Sequence, residues 1–143
     1  MLFKRINRTL AETVFMVVKN VSGSTITAGY SCVFDVGTSV DGVRVTQASS
    51  TDLQAYAGVA DQDIADTAYG RIQVWGYRSS AYIYSSVGVM ATGDNLVPAA
   101  SQWGLTPVTG VGTSKAFGFL CEAIAASSSS SYKTTAKVFI RAL

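Results

Sequence analysis

No apolar stretch of this chain is long. The longest uninterrupted aliphatic and aromatic run, Val14–Val18, covers five residues, far short of the about 20 that a membrane-spanning helix needs and shorter than an ordinary core helix. Short runs rich in β-branched and aromatic residues, punctuated by glycine, serine, threonine and asparagine at intervals of about 8–12 residues, specify strands and turns. The expected strands are Val14–Asn20, Tyr30–Val36, Gly42–Ala48, Leu53–Ala60, Arg71–Tyr77 and Ala81–Tyr84, with short elements around Val87–Ala91 and at Leu96. Two longer strands, Ala116–Ala125 and Lys133–Leu143, close the chain. In the first of these, Phe117, Leu120, Cys121 and Ile124 fit a helical spacing as well as a strand.

The connections carry their own signals. Gly58 inside an apolar segment points to a bulge or a close backbone approach. The acidic connector Asp61–Thr67 has room for one helical turn, and Arg78-Ser79-Ser80 reads as a hairpin turn between two strands. Both prolines, Pro98 and Pro107, fall in a glycine-containing stretch up to Ser114 where regular structure is expected to be sparse. The five serines Ser127–Ser131 are expected to form a loop tip. The fold class is all-β: a compact single-domain β-barrel or β-sandwich of short antiparallel strands over residues 13–143, preceded by an extended basic arm, residues 1–12.

At 143 residues and 15.0 kDa the chain can bury a core without staples. Its surface chemistry is unusual. Hydrophobic residues make up 48% and charged residues only 14%, against about 25% charged in a typical soluble domain. Either a membrane or an assembly would account for so little charge. A transmembrane barrel needs eight or more strands of about 10 residues with an outward apolar band, which a chain this short can barely supply. Assembly is therefore the reading adopted, and no membrane partner is expected.

A formal charge of +2 is too small to argue for a nucleic-acid partner. Its distribution is uneven, because Lys4, Arg5 and Arg8 precede the single acid Glu12. The stretch after them lacks the apolar core of a signal peptide, so export by that route is not expected. Cys32 and Cys121 lie in apolar surroundings far apart in sequence, with no metal spacing; buried free thiols are expected.

Candidate chemistry is thin. The chain has no histidine, which removes the usual base for an activated serine or cysteine. Asp61, Asp63 and Asp66 form the one carboxylate cluster, but an EF-hand begun at Asp61 would put Asp66 where glycine belongs and Ile72 where a bidentate glutamate belongs. Turn capping is the better reading. Gly110–Lys115 lacks the spacing of a phosphate-binding loop. No catalytic residue, metal or cofactor is assigned, and the chain is read as a non-enzyme.

The aromatic residues are more informative. A hairpin at Arg78–Ser80 would bring Trp75, Tyr77, Tyr82 and Tyr84 onto one face, opposite Ile72, Val74 and Ile83. Such a face suits core packing, a subunit interface, or stacking against sugar rings, and all three remain open.

Three segments carry a resemblance: residues 17–29 (VKNVSGSTITAGY less its last residue, preceded by Val17), Gly58-Val59-Ala60, and residues 68–76 (AYGRIQVWG). Over residues 14–110 the chain resembles tailed-bacteriophage head decoration, or cement, proteins. The resemblance implies a virion structural protein, made in the host cytoplasm and carried on the outer surface of an icosahedral capsid, commonly as a homotrimer, that binds the major capsid protein and cements neighbouring subunits. On that reading Lys4, Arg5 and Arg8 dock on the capsid. The alternative is a carbohydrate-binding or tail-associated adhesion module that uses Trp75, Tyr77, Tyr82 and Tyr84 as stacking platforms.

Overall fold

The computed structural model describes residues 12–37, 41–85, 89–108, 116–125 and 132–142, with the side chain of Tyr132 left aside. The nine strands are β1 (Thr13–Asn20), β2 (Ser31–Phe34), β3 (Arg44–Thr46), β4 (Tyr56–Ala60), β5 (Tyr69–Ser85), β6 (Asn95–Pro98), β7 (Leu105–Pro107), β8 (Gly118–Leu120) and β9 (Tyr132–Arg141). They form one sheet in the order β1-β3-β2-β4-β5-β7-β6-β8-β9, with further pairings of β1 to β5 and of β5 to β9. Those extra pairings close the sheet into two rings. One runs β1-β3-β2-β4-β5 and returns to β1; the other runs β5-β7-β6-β8-β9 and returns to β5.

β5 belongs to both rings because it is 17 residues long, about three times the usual strand. Its first half pairs with β1 from Lys19↔Tyr69 to Thr13↔Gly76. Its second half pairs with β9 from Trp75↔Arg141 to Ser85↔Tyr132. Each ring encloses its own apolar cluster. Val18, Ile26, Cys32, Val45, Ile64, Ile72 and Val74 lie in the N-terminal ring. Ile83, Met90, Leu96, Leu105, Leu120, Val138 and Ile140 lie in the C-terminal ring. β4 contributes to both, sending Ala57 and Ala60 into the first core and Tyr56 and Val59 into the second.

That division requires a break in strand alternation, and Gly58 provides it. Its φ is +150°, and a Cβ there would collide with the backbone oxygen of Gln73, so any other residue would separate β4 from β5. Gly76, at φ +101°, has the same role where the backbone of Glu12 crosses β5.

Several expectations are corrected. Arg78-Ser79-Ser80 is not a hairpin turn: β5 runs through it, and the register to β9 slips between Arg78 and Ala81 in a β-bulge. Both flanks pair with the same strand, which holds the segment extended despite its turn-like composition. The sheet is not wholly antiparallel, since β1 pairs parallel with β3 and β5 parallel with β7. Leu53–Ala55 is a single 3-10 turn, and only Tyr56–Ala60 is strand.

The acidic connector holds no helical turn; Ile64 makes an isolated bridge to Ile26. The expected strand Ala116–Ala125 shrinks to β8, with Ile124 bridging Met90. Pro107 ends a short strand in the stretch expected to be sparse. The basic arm with Lys4, Arg5 and Arg8, and the serine tract, lie outside the described residues.

Candidate interaction surface

Directly opposed residues on paired strands share a face. Ala136, Val138 and Ile140 of β9 are buried in the C-terminal core. The residues between them oppose the four aromatics of interest: Arg141 faces Trp75, Phe139 faces Tyr77, Thr135 faces Tyr82 and Lys133 faces Tyr84. The four aromatics therefore do share one face, the outer one, but a bulge inside a single strand brings them there and not a hairpin. The one-residue slip restores the parity that the sequence alone would have lost.

None of the four belongs to either core cluster. Their surroundings are aromatic all the same. The Trp75 ring meets Phe139 edge-on at 5.4 Å, and Phe139 stacks on Phe119 at 5.2 Å. The Arg141 guanidinium lies 5.6 Å from the Phe119 ring. Further along β5, Tyr82 packs against Tyr30 at 5.3 Å, and Tyr30 stacks on Trp103 at 5.5 Å. These contacts hold the rings in place while leaving Trp75, Tyr82 and Tyr84 half-buried and Tyr77 exposed. Phe119, Phe139, Tyr30 and Trp103 join the surface without having been singled out from the sequence. Phe139 and Phe119 were legible as strand aromatics; their position beside Trp75 depends on the β8–β9–β5 order.

The bulge opens a pocket of about 280 Å³ lined by Asp61, Gln73, Tyr77, Arg78, Ser79 and Ser80. Its polar groups are largely engaged with one another. Arg78 donates to the carbonyls of Ser80 and Ala60, each at 2.8 Å, and reaches Asp61 at 3.4 Å. Gln73, itself buried, donates to the carbonyls of Trp75 and Tyr77 at 3.2 and 3.0 Å. Asp61 also accepts from Arg71 at 2.9 Å. The pocket is a brace for the bulge, in which one carboxylate is shared by two guanidinium groups.

The remaining acids behave as capping residues. Asp63 accepts the N–H of Ala28 at 2.8 Å, and Asp66 accepts that of Gly23 at 3.0 Å. Together they fasten the connector before β5 to the loop after β1. Asn20 completes the joint from inside: its amide donates to the carbonyls of Ser24 and Ile64 at 2.7 and 2.8 Å, and its oxygen accepts from Ser22. Among the described residues no three potential metal ligands gather at one point.

Both cysteines are free. Burial pushes the Cys32 thiol up to about 12. Cys121 is only half-buried, contrary to expectation, because β8 ends before it; burial first, then the charge of Glu122, raises its pKa. Neither is a ready nucleophile at neutral pH.

No family model and no curated protein matches the sequence. A solved structure does. The chain is similar to the N base of head fiber gp8.5 in bacteriophage phi29, with a TM-score of 0.54 and 15% sequence identity over 92% of this chain and 96% of that one. The likeness lies in the fold and spans nearly the whole of both chains. The all-β fold expected from the spacing of strands and turns is thus shared with that head-fiber base.

Proposed function

We propose that this chain is a non-enzymatic structural protein of a bacteriophage virion. It sits on the outer surface of the head, binds the major capsid protein and ties neighbouring subunits together as a homotrimer. The observation that carries the reading is the fold shared with a head-fiber base from end to end. Two features of the chain fit it: a charged fraction of only 14%, and an outer face of half-exposed aromatics of the kind enriched in protein interfaces.

The chemistry of such a role is association. Three copies joined in one particle let weak contacts act together, which raises avidity by about 10² to 10⁴ over a single contact. A protein that binds only the assembled shell stabilises that shell by mass action. Lys4, Arg5 and Arg8 are the docking charges in this proposal.

Co-sedimentation with capsids of the cognate phage tests it. The full chain is expected to pellet with shells, and a chain lacking residues 1–12 to pellet several-fold less. Undiminished binding removes the arm from the proposal, and no binding by the full chain removes the proposal itself. Light scattering is expected to give about three times the 15.0 kDa of one chain. Binding on a glycan array that Trp75→Ala abolishes in a folded protein would replace this reading with the carbohydrate one.

A further inference from the structure

β1 is bonded to β5 along its whole length but meets β3 only at Lys19 and Asn20. Lys19 gives its N–H to Val43 on the side away from β5 at 2.8 Å, whereas Asn20 gives its N–H to Ala68, just before β5, at 3.0 Å. Strand alternation then turns the backbone groups of Val17 and Phe15 to the same side as Lys19, beyond the end of β3. Among the described residues nothing pairs with Thr13–Val18 on that side. A row of main-chain donors and acceptors is left open, the feature that most readily accepts an added strand.

The side chains beside this edge are apolar and basic. Val17 is 63% exposed, Phe15 38% and Tyr69 65%, values that are high for such residues in a sheet and leave room for a neighbour. The Arg71 guanidinium lies 4.6 Å from the Phe15 ring, and the Lys19 ammonium lies 5.9 Å from the Tyr69 ring. Asp61 is divided between Arg71 and Arg78, and Asp41 pairs with Arg44, the ladder partner of Lys19, so among these described side chains four cations stand against two carboxylates. Two copies of β1 brought edge to edge would set Lys19 and Arg71 of one against those of the other. An extended segment that alternates acidic and apolar side chains would instead meet complementary charge at Lys19 and Arg71 and apolar surface at Phe15, Val17 and Tyr69.

We propose that the open edge of β1 accepts an extended, acidic segment of a partner protein as an added strand, hydrogen-bonded to Phe15 and Val17. Naming that partner as a subunit of the capsid rests on the function proposed above; the edge and its chemistry do not. Main-chain bonds would supply register-specific affinity, while Lys19 and Arg71 select for acidic side chains.

The test uses the full chain and two synthetic octapeptides, one alternating valine and glutamate, the other valine and lysine. Amide hydrogen exchange is read residue by residue by NMR. The valine–glutamate peptide is expected to slow exchange at Phe15 and Val17 at least tenfold, and the valine–lysine peptide to leave both unchanged. Val17→Pro removes an N–H that points away from β5, a position where an edge strand tolerates proline; it should weaken peptide binding at least tenfold. Lys19→Glu, which leaves the backbone intact, should exchange the preference of the two peptides.

Unchanged exchange at Phe15 and Val17 overturns the proposal, as does wild-type affinity in both variants. A dimer that Val17→Pro dissociates would also overturn it, by showing a second copy on the edge. With capsids, equal sedimentation of wild type and Val17→Pro would sink this inference and leave the virion function standing. Peptide binding without capsid sedimentation would do the reverse.

Discussion

The two rings share β5 and are closed along seams of different length. The C-terminal ring is closed by β9, whose pairing with β5 runs from Arg141 to Tyr132, around a core with Ile83, Met90, Leu96, Leu105, Leu120 and Ile140 fully buried. The N-terminal ring is closed by a seam of two residue pairs between β1 and β3, and its core includes small residues such as Ala57, Ala60 and Cys32. What it lacks in seam it recovers in polar fasteners: Asn20 inside, Asp63 and Asp66 across the loops. The C-terminal ring has a narrow seam of its own, the single pair Ile83↔Leu105 between β5 and β7, and its own fasteners, Asp94 on the N–H of Ala91 and Glu122 on that of Lys137. The difference lies in where the short seam falls: at β1–β3 it leaves the edge of β1 open among the described residues and so offers a place for a partner.

The largest effect is expected from truncating the same side chain on the same strand, once in each ring. Ile72→Ala and Ile83→Ala both remove a fully buried isoleucine from β5, and each is expected to cost about 2–5 kcal/mol in urea unfolding. Hydrogen exchange should then separate them, with Ile72→Ala loosening β1 and β3 first and Ile83→Ala loosening β6–β8. Identical exchange maps for the two variants would show that the rings are a single cooperative unit.

A smaller effect comes from the buried polar groups, which contrast between the rings. Asn20 is fully buried with every amide group engaged, and Asn20→Ala removes one donor each from the carbonyls of Ser24 and Ile64, the second of which keeps only the N–H of Ile26; a loss of about 2 kcal/mol is expected. Tyr56 is buried in the C-terminal core with a hydroxyl that has no hydrogen-bond partner among the described residues, and burial raises its pKa. Tyr56→Phe should therefore be neutral or stabilise by about 1 kcal/mol. A loss on Tyr56→Phe would show that the hydroxyl is satisfied in solution.

The smallest effect is electrostatic. Glu122 accepts the backbone N–H of Lys137 at 2.8 Å and pairs with its ammonium at 3.2 Å, fastening the turn after β8 to β9. The backbone bond first, then the side-chain bond, lowers the Glu122 pKa below its ordinary 4.5. A depressed carboxyl contributes stability that is present above the unfolded value and lost as pH falls through the folded one. The difference between wild type and Glu122→Gln should be measurable at pH 7 and vanish as pH falls below 4.5. A difference that persists at low pH would assign the effect to packing.

Much of the fold was legible along the chain. β1, β2, β3 and the first half of β5 follow from β-branched and aromatic runs bounded by small residues, and Gly58 signals the break in alternation that lets β4 face two cores. Asp63 and Asp66 were readable as turn caps, because carboxylates beside small residues bond free backbone N–H groups. The site was legible only in part. Trp75, Tyr77, Tyr82 and Tyr84 were placed on one face through a hairpin that does not exist, and Phe119, Phe139 and Arg141 had no sequence signal tying them to Trp75.

The amino-acid sequence was enough for the all-β class and for the strands with a clear pattern, β1, β2, the first half of β5 and β9, since these are written in short-range periodicity and side-chain shape. Tertiary structure alone decided that Arg78-Ser79-Ser80 is a bulge, that β5 serves two rings, and that β1 keeps an open edge. Those outcomes depend on which strands pair across long separations. A turn-forming tripeptide has a local preference worth little beside the pairing of β9 along both of its flanks, and no local pattern records where β3 stops.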